Sequence, residues 1–168
     1  GKTACVRSLI AANIDDIDQN KNTALMLAAE NGHASAVKEL IKAGAYLDQK
    51  RDKSFETALI LAAENNHHEC VKAIAEAGAK LDEKEDAGET ALMRATKNGH
   101  LGCVKELIEA GDDVNKCGKH GKTPLILAAE IGKTACVRSL IAANANLDIT
   151  DANGKTALIV SVEMQEPE

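Results

Sequence analysis

Aromatic side chains are almost absent from this chain of 168 residues, which has one Phe, one Tyr and no Trp. A core built around large rings is therefore excluded, and we expect one built from Ala, Leu, Ile, Val and Cys. Such side chains suit thin helical layers that pack closely. Hydrophobic residues make up 45% of the sequence, which is enough for a core, and the length predicts about one domain.

Clustered basic charge and long apolar runs are also missing. The net charge is −6 and no block of Lys and Arg occurs, whereas binding to nucleic acid or to an anionic membrane depends on such blocks. No apolar run approaches the ~18 residues that a membrane span needs. The sequence therefore predicts neither a nucleic-acid partner nor a membrane partner.

Motifs of catalysis and ligand binding are missing as well. No grouping of Ser, His and Asp suggests a nucleophilic enzyme, and a lone pair with metal-site spacing, Cys117 and His120, has no second pair beside it. Gly-Lys-Thr never follows another Gly at the distance that a phosphate-binding loop requires. We expect no catalytic residue, no metal and no cofactor. The Gly-Lys-Thr copies begin at Gly1, Gly121, Gly132 and Gly154.

What the chain does contain is a repeated unit, marked by Thr with Leu two residues later. Each Thr opens a short apolar stretch, followed by a Gly or Asn turn and a longer stretch with helical periodicity. The pattern predicts two helices per unit, with Thr as the N-cap of the short helix and Gly or Asn at the helix ends. The marker residues are Thr23, Thr57, Thr90, Thr123 and Thr156, at successive spacings of 34, 33, 33 and 33 residues.

A repeat of this length with this residue pattern resembles the ankyrin repeat, whose Thr-Pro-Leu-His-x-Ala signature opens the first of two helices. The resemblance covers nearly the whole chain. It implies an all-α ankyrin-repeat solenoid that forms a single domain of residues 1–168. The implied units are an N-terminal half-repeat and loop at 1–22, full repeats at 23–56, 57–89, 90–122 and 123–155, and a C-terminal half-repeat at 156–168.

Cysteine, histidine and acidic residues recur at fixed places, and each set has a structural interpretation. The cysteines that share one slot of the longer helix are too far apart for disulfides if the helices pack about 8–10 Å apart. We expect them to be small buried residues in a reducing compartment, with Cys117 exposed. The cysteines of this slot are Cys5, Cys70, Cys103 and Cys136. The histidines expected to form hydrogen bonds at the turns are His33, His67 and His100. The loop carboxylates expected to be solvated include Asp18, Glu85 and Asp112.

The resemblance also implies a binding platform, the concave face, formed by the turn tips and the exposed side of the short helices. Its tips are acidic or neutral at the start and basic at the fourth tip, residues 119–122. A partner with the opposite charge asymmetry would be steered onto it. The predicted partner-binding residues are Asn20, Asn22, Lys53, Phe55, Glu56, Asp86, Glu89, Arg94, Lys97, Lys119, His120, Lys122, Ile131, Asn153 and Lys155.

Two residues depart from the repeat pattern on this face. Phe55 stands where other units have a turn Gly, beside a one-residue insertion. It is either an anchor for a partner or a ring that packs back onto its own loop. Arg94 interrupts an otherwise aliphatic row, and it either extends towards a nearby acid or presents a functional polar group. The rest of that row is Leu27, Leu61, Leu127 and Val160.

The sequence therefore predicts a non-catalytic protein–protein interaction scaffold that is mainly monomeric and cytoplasmic, with the nucleus as the alternative compartment. A second hypothesis is a structural one. Gly1–Asn13 has the longer-helix pattern without a short helix before it, and it matches Gly132–Asn144 letter for letter. The last unit has a short helix alone. Such halves would complement each other in head-to-tail contacts, although Ser161-Val162, in place of paired alanines, argues against this.

Overall fold

Helices arranged in pairs form the regular structure of residues 13–164, the part of the chain that the computed structural model describes. Those residues contain no strand, so the predicted all-α class is confirmed. The longer helix predicted near the N-terminus lies outside the described residues. The short helices are α1 (Ala24–Glu30), α3 (Ala58–Glu64), α5 (Ala91–Asn98), α7 (Pro124–Glu130) and α9 (Ala157–Glu163), and the longer helices are α2 (Ala34–Lys42), α4 (His68–Glu76), α6 (Leu101–Glu109) and α8 (Thr134–Ala142).

Each short helix begins at the Thr that the sequence predicts as its N-cap. The Thr90 hydroxyl accepts a hydrogen bond from the Met93 N–H, and the other four marker threonines make the equivalent bond. Pro124 occupies the first turn of α7, where it loses no intrahelical bond. The turn after each of the first four short helices is left-handed, as at Gly99 (φ 75°) and Asn66 (φ 63°). The predicted local structure is therefore confirmed.

Neighbouring pairs stack so that the short helices form one row and the longer helices another. The core lies between the rows and consists mainly of Ala, Leu, Ile, Val, Met and Cys. Because alanines such as Ala62 and Ala63 are fully buried, adjacent short helices can approach each other closely. A helix pair does not enclose this core by itself, so each unit depends on its neighbours for stability.

Histidines at the start of the longer helices join consecutive units. His67 Nε2 donates to the carbonyl oxygen of Glu30 at 3.1 Å, and His100 Nε2 donates to that of Glu64 at 2.9 Å. Each acceptor is the last residue of a short helix, where carbonyl groups lack an intrahelical partner. The predicted hydrogen-bonding role is confirmed for these two histidines, and the bonds cross from one unit to the next.

The expectation that the loop carboxylates are solvated is wrong for Glu85 and Asp112, which are only 6% and 9% exposed. Asp112 stands where the other units place a buried alanine, such as Ala79. Its Oδ2 atom is buried and has no hydrogen-bond partner among the described residues. Burial raises the pKa of Asp112 to about 7, because the charged carboxylate is poorly solvated there.

We predict that Asp112→Ala stabilises the protein in a pH-dependent way. The raised pKa means that the unfolded chain releases this proton more readily, so stability falls as pH rises from about 4 to about 7 and the penalty is complete above that range. The gain should reach about 4 kcal/mol near pH 8 and less than half of that near pH 5. Urea unfolding at both pH values measures it. Asp148→Ala, at an exposed carboxylate, is the control, and equal gains at the two pH values for Asp112→Ala would contradict the prediction.

Candidate functional site

The concave face carries a series of ion pairs along the short helices. Arg94 of α5 bonds to Glu64 of α3 and to Glu89 at the turn tip, with 3.2 Å between Nη1 and Glu89 Oε2. Lys97 Nζ lies 2.8 Å from Glu89 Oε1. Arg94 therefore extends towards nearby acids, as one of the two interpretations expected, and it links two units.

A second arginine makes similar contacts at the turn tip before α3. Arg51 Nη2 lies 2.8 Å from Glu30 Oε2, Nη1 lies 3.2 Å from Glu56 Oε2, and Nε donates to Asn22 Oδ1 at 2.6 Å. Arg51 was not among the predicted residues, because its role depends on Glu30, which lies 21 residues away in the sequence. In the last two units the pairing is local, and it joins Lys122 to Glu130 and Lys155 to Glu163, each at 2.6 Å.

These contacts sort the predicted partner-binding residues by their accessibility. Asn22 and Glu89 are each only 9% exposed, so they act mainly by holding Arg51 and Arg94. Glu56, Arg94, Lys122 and Lys155 are partly buried within ion pairs. The remaining predicted residues are exposed, namely Asn20, Lys53, Phe55, Asp86, Lys97, Lys119, His120, Ile131 and Asn153.

Phe55 projects from a strained turn tip. It is 51% exposed, so the ring is not packed away against its own loop. Its φ of 57° lies in the left-handed region, where Gly88, Gly121 and Gly154 stand in the corresponding turns. Lys53 in the same tip also has a positive φ, 63°. Strained non-glycine residues of this kind are often found at functional sites.

A change of residue type at the end of the short helices marks the fourth unit. The side chains of Asn31, Asn65 and Asn98 each donate a hydrogen bond to a backbone carbonyl of a short helix, at 2.8–3.2 Å. Ile131 takes the corresponding place and is 42% exposed, and Met164 follows it in the last unit at 63%. The concave face is thus polar along its first three units and apolar at this end.

An open groove of about 760 Å³ lies on the concave face between the third and fourth units. Its apolar lining includes Met93, Leu127 and Ile131. Cationic side chains, Lys97 and Lys119 among them, stand at its rim. The two acids in the lining, Glu89 and Glu130, are both engaged in ion pairs. The groove therefore combines apolar surface with an excess of basic groups at the turn tip.

No group of three or more potential metal ligands occurs within residues 13–164. Cys70, Cys103 and Cys136 are buried and free, as predicted, and burial raises the pKa of Cys70 to about 11 and that of Cys103 to about 12. Cys5 lies outside the described residues, and Cys117 is exposed. In the part of the chain described, no helix is long and apolar enough to cross a membrane.

Comparison with known proteins supports a repeat architecture. A family model described as ankyrin repeats, in three copies, matches residues 1–51, 46–117 and 92–168. Among curated proteins, none is similar enough in sequence to be counted as a relative.

We predict that Phe55→Gly raises the free energy of unfolding by about 1 kcal/mol, because Gly adopts a positive φ without steric cost. Phe55→Ala is the matched control, since it removes the ring but keeps the strained Cβ, and it should give no gain. Urea unfolding of both variants measures the difference. A loss of stability in Phe55→Gly would show that the ring stabilises its loop.

Proposed function

Because the chain belongs to the ankyrin-repeat family, whose repeats generally serve as protein–protein interaction modules, we propose that it is a non-catalytic scaffold that binds a protein partner through its concave face. The observation that carries this proposal is the apolar groove beside Ile131, bordered by the basic tip at Lys119 and His120. It lies on the same face as the exposed ring of Phe55.

The ion pairs support the proposal because they hold charged side chains in place before a partner arrives. Arg51 and Arg94 each contact two acids, one at the end of a short helix and one at a turn tip, so their long side chains have little conformational freedom left to lose. Binding costs less free energy when interface side chains are already ordered. The series is therefore best understood as the support of a binding face, with the exposed residues of the tips making the contacts.

Two exposed apolar side chains on the face are suitable anchors. Phe55 and Ile131 are 51% and 42% exposed, and a few residues that become fully buried commonly contribute most of the energy of an interface. Between them, the tips change from acidic Asp86 to basic Lys119 and His120. A partner with the opposite order of charges would be oriented along the array.

We predict that a triple variant captures at least about tenfold less partner protein from cell lysate than the unmodified chain does. The variant combines Phe55→Gly, Lys119→Ala and Ile131→Asn, and quantitative mass spectrometry measures the captured protein. Phe55→Gly and Ile131→Asn introduce the residues that other units have at the corresponding positions, so the melting temperature should not fall. The control, Lys38→Ala with Lys105→Ala, changes exposed residues of the longer helices and should capture normally. Unchanged capture by the triple variant would contradict the assignment of the face.

A second candidate function, self-association through the terminal half-repeats, is favoured by one separate observation. A groove of about 740 Å³ lies open beside α9 and is lined by α7, α8 and α9. Leu158 is 73% exposed there and Ile141 is 48% exposed. This apolar surface corresponds to the side on which a longer helix packs in the preceding units. Gly1–Asn13 of a second copy has the pattern of such a helix.

For this candidate we predict that the molar mass from light scattering rises with chain concentration between micromolar and millimolar. Leu158→Lys should abolish the rise, because it places a charge in the apolar groove. Leu27→Lys, at an exposed residue near the other end of the concave face, is the control and should leave the rise unchanged. A monomer at every concentration would exclude the candidate.

A further inference from the structure

Neighbouring helix pairs are tied together at the turns between their two helices, but only in the first part of the array. His67 donates to the carbonyl oxygen of Glu30, which ties the second pair, α3 and α4, to the first, α1 and α2. His100 donates to that of Glu64 and ties the third pair, α5 and α6, to the second. An arginine also bonds to the carboxylate of each of these two glutamates.

Neither tie is present between the third pair and the fourth, α7 and α8. Lys97 stands at the position of the two glutamates and bonds to Glu89, just before its own helix. Lys133 stands at the position of the two histidines. Within residues 13–164, no hydrogen bond or ion pair joins α5 and the turn after it to α7 and the turn after it.

The missing histidine tie is a matter of residue type and not of backbone. Lys133 has φ −81° and ψ 68°, close to the −80° and 72° of His100. Its alkyl chain lies over Gly99, where a Cβ atom would lie 2.9 Å from Lys133 Cδ, just as the ring of His67 lies over Gly32. In the part of the chain that the structure describes, however, the Lys133 ammonium group has no bonding partner.

The helices also pack least extensively at this junction. The short helix α7 packs on α5 less extensively than α5 packs on α3, and the longer helix α8 packs on α6 less extensively than α6 packs on α4. The groove over Met93 and Leu127 lies open between the same pairs. Since the stability of an array is the sum of its units and of the contacts between neighbours, the third and fourth pairs should separate at the lowest cost in free energy.

Other contacts keep the two sides of the junction connected. Asn115 Oδ1 accepts a hydrogen bond from the Asn146 N–H at 2.7 Å, and lysine side chains link the turn tips on either side. The last helix belongs with the fourth pair, because α9 packs along α7 and the Ala152 N–H donates to His120 O at 2.7 Å. The helices α7, α8 and α9 therefore form one block.

We propose that the array opens at the junction between its third and fourth helix pairs, so that α7–α9 separate as a block from α1–α6. Opening begins at the turns, where the ties are missing, while the loops that Asn115 and Asn146 join hold the blocks together. Each opening also changes the width of the groove over Met93 and Leu127. The motion follows from contacts within the chain and does not depend on the proposed function of the concave face.

Three buried cysteines are natural probes of this opening. Cys70, Cys103 and Cys136 are at most 1% exposed and occupy the same slot of α4, α6 and α8. The slot lies towards the preceding pair, since burial and then the nearby Cys70 thiol raise the pKa of Cys103. By this equivalence, Cys136 lies at the junction between the third and fourth pairs. A thiol in such a slot reacts with a soluble reagent only when its junction opens.

The test measures the labelling of the intact chain by iodoacetamide, with each rate divided by the rate for the same cysteine in the urea-unfolded chain. Cys136 should react at least about tenfold faster than Cys70 and Cys103. Digestion after glutamate gives each cysteine its own peptide, whereas trypsin would give Cys5 and Cys136 the same one, Thr-Ala-Cys-Val-Arg. Equal rates at the three buried cysteines would overturn the proposal.

One substitution restores the missing tie. Lys133→His introduces the residue that the second and third pairs have at this position, and it should slow the labelling of Cys136 about fivefold. Lys38→His, on the exposed side of α2, is the control and should leave that rate unchanged. The reverse change, His100→Lys, should speed the labelling of Cys103 by a similar factor. An unchanged Cys136 rate in Lys133→His would contradict the proposed opening.

Discussion

Stacking between neighbouring helix pairs is the constraint on which the rest of this structure depends. Leu92 and Leu158 occupy the same position, two residues after a capping Thr, yet Leu92 is fully buried and Leu158 is 73% exposed. The residue type and the local helix are the same in both places. The difference lies in whether helices pack on both sides of the unit or, among the described residues, on one side only. Burial, and with it stability, is therefore a property shared between units.

The polar backbone groups of the turns likewise depend on other residues, which supply their hydrogen-bond partners. Buried or strained backbone groups need hydrogen-bond partners, and the units supply them either from the next histidine along the array, as with His67 and Glu30, or from a carboxylate inside the turn, as with Asp151. The tip at Gly118 has no such carboxylate, and its backbone also differs, because His120 (φ 59°) is left-handed as well as Gly121 (φ 71°), whereas the tip at Asp151 has only Gly154 in that region. The closing carboxylate is thus absent from the tip where the face is most basic and adjoins an apolar groove.

The candidate site was predictable from the sequence where a residue breaks the repeat. Phe55 in place of Gly and Ile131 in place of Asn are visible in the aligned units, and the structure places both side chains in solvent. Arg51 could not be identified in this way, because its partners Glu30 and Asn22 lie 21 and 29 residues away in the sequence. For the same reason, Asn22 and Glu89 were predicted as contacts for a partner, whereas the structure uses them mainly to hold arginines.

The sequence by itself determined the helices, their caps and the period of the array, because a Thr hydroxyl bonds to an N–H only three residues away and a Gly sets its own backbone angle. Only the tertiary structure decided which charges pair and which acids are buried. Arg94 bonds to Glu64, which lies 30 residues away in the sequence. Asp112 is buried at a position where the other units have Ala. Such contacts depend on how closely two units stack, a distance that no single unit encodes.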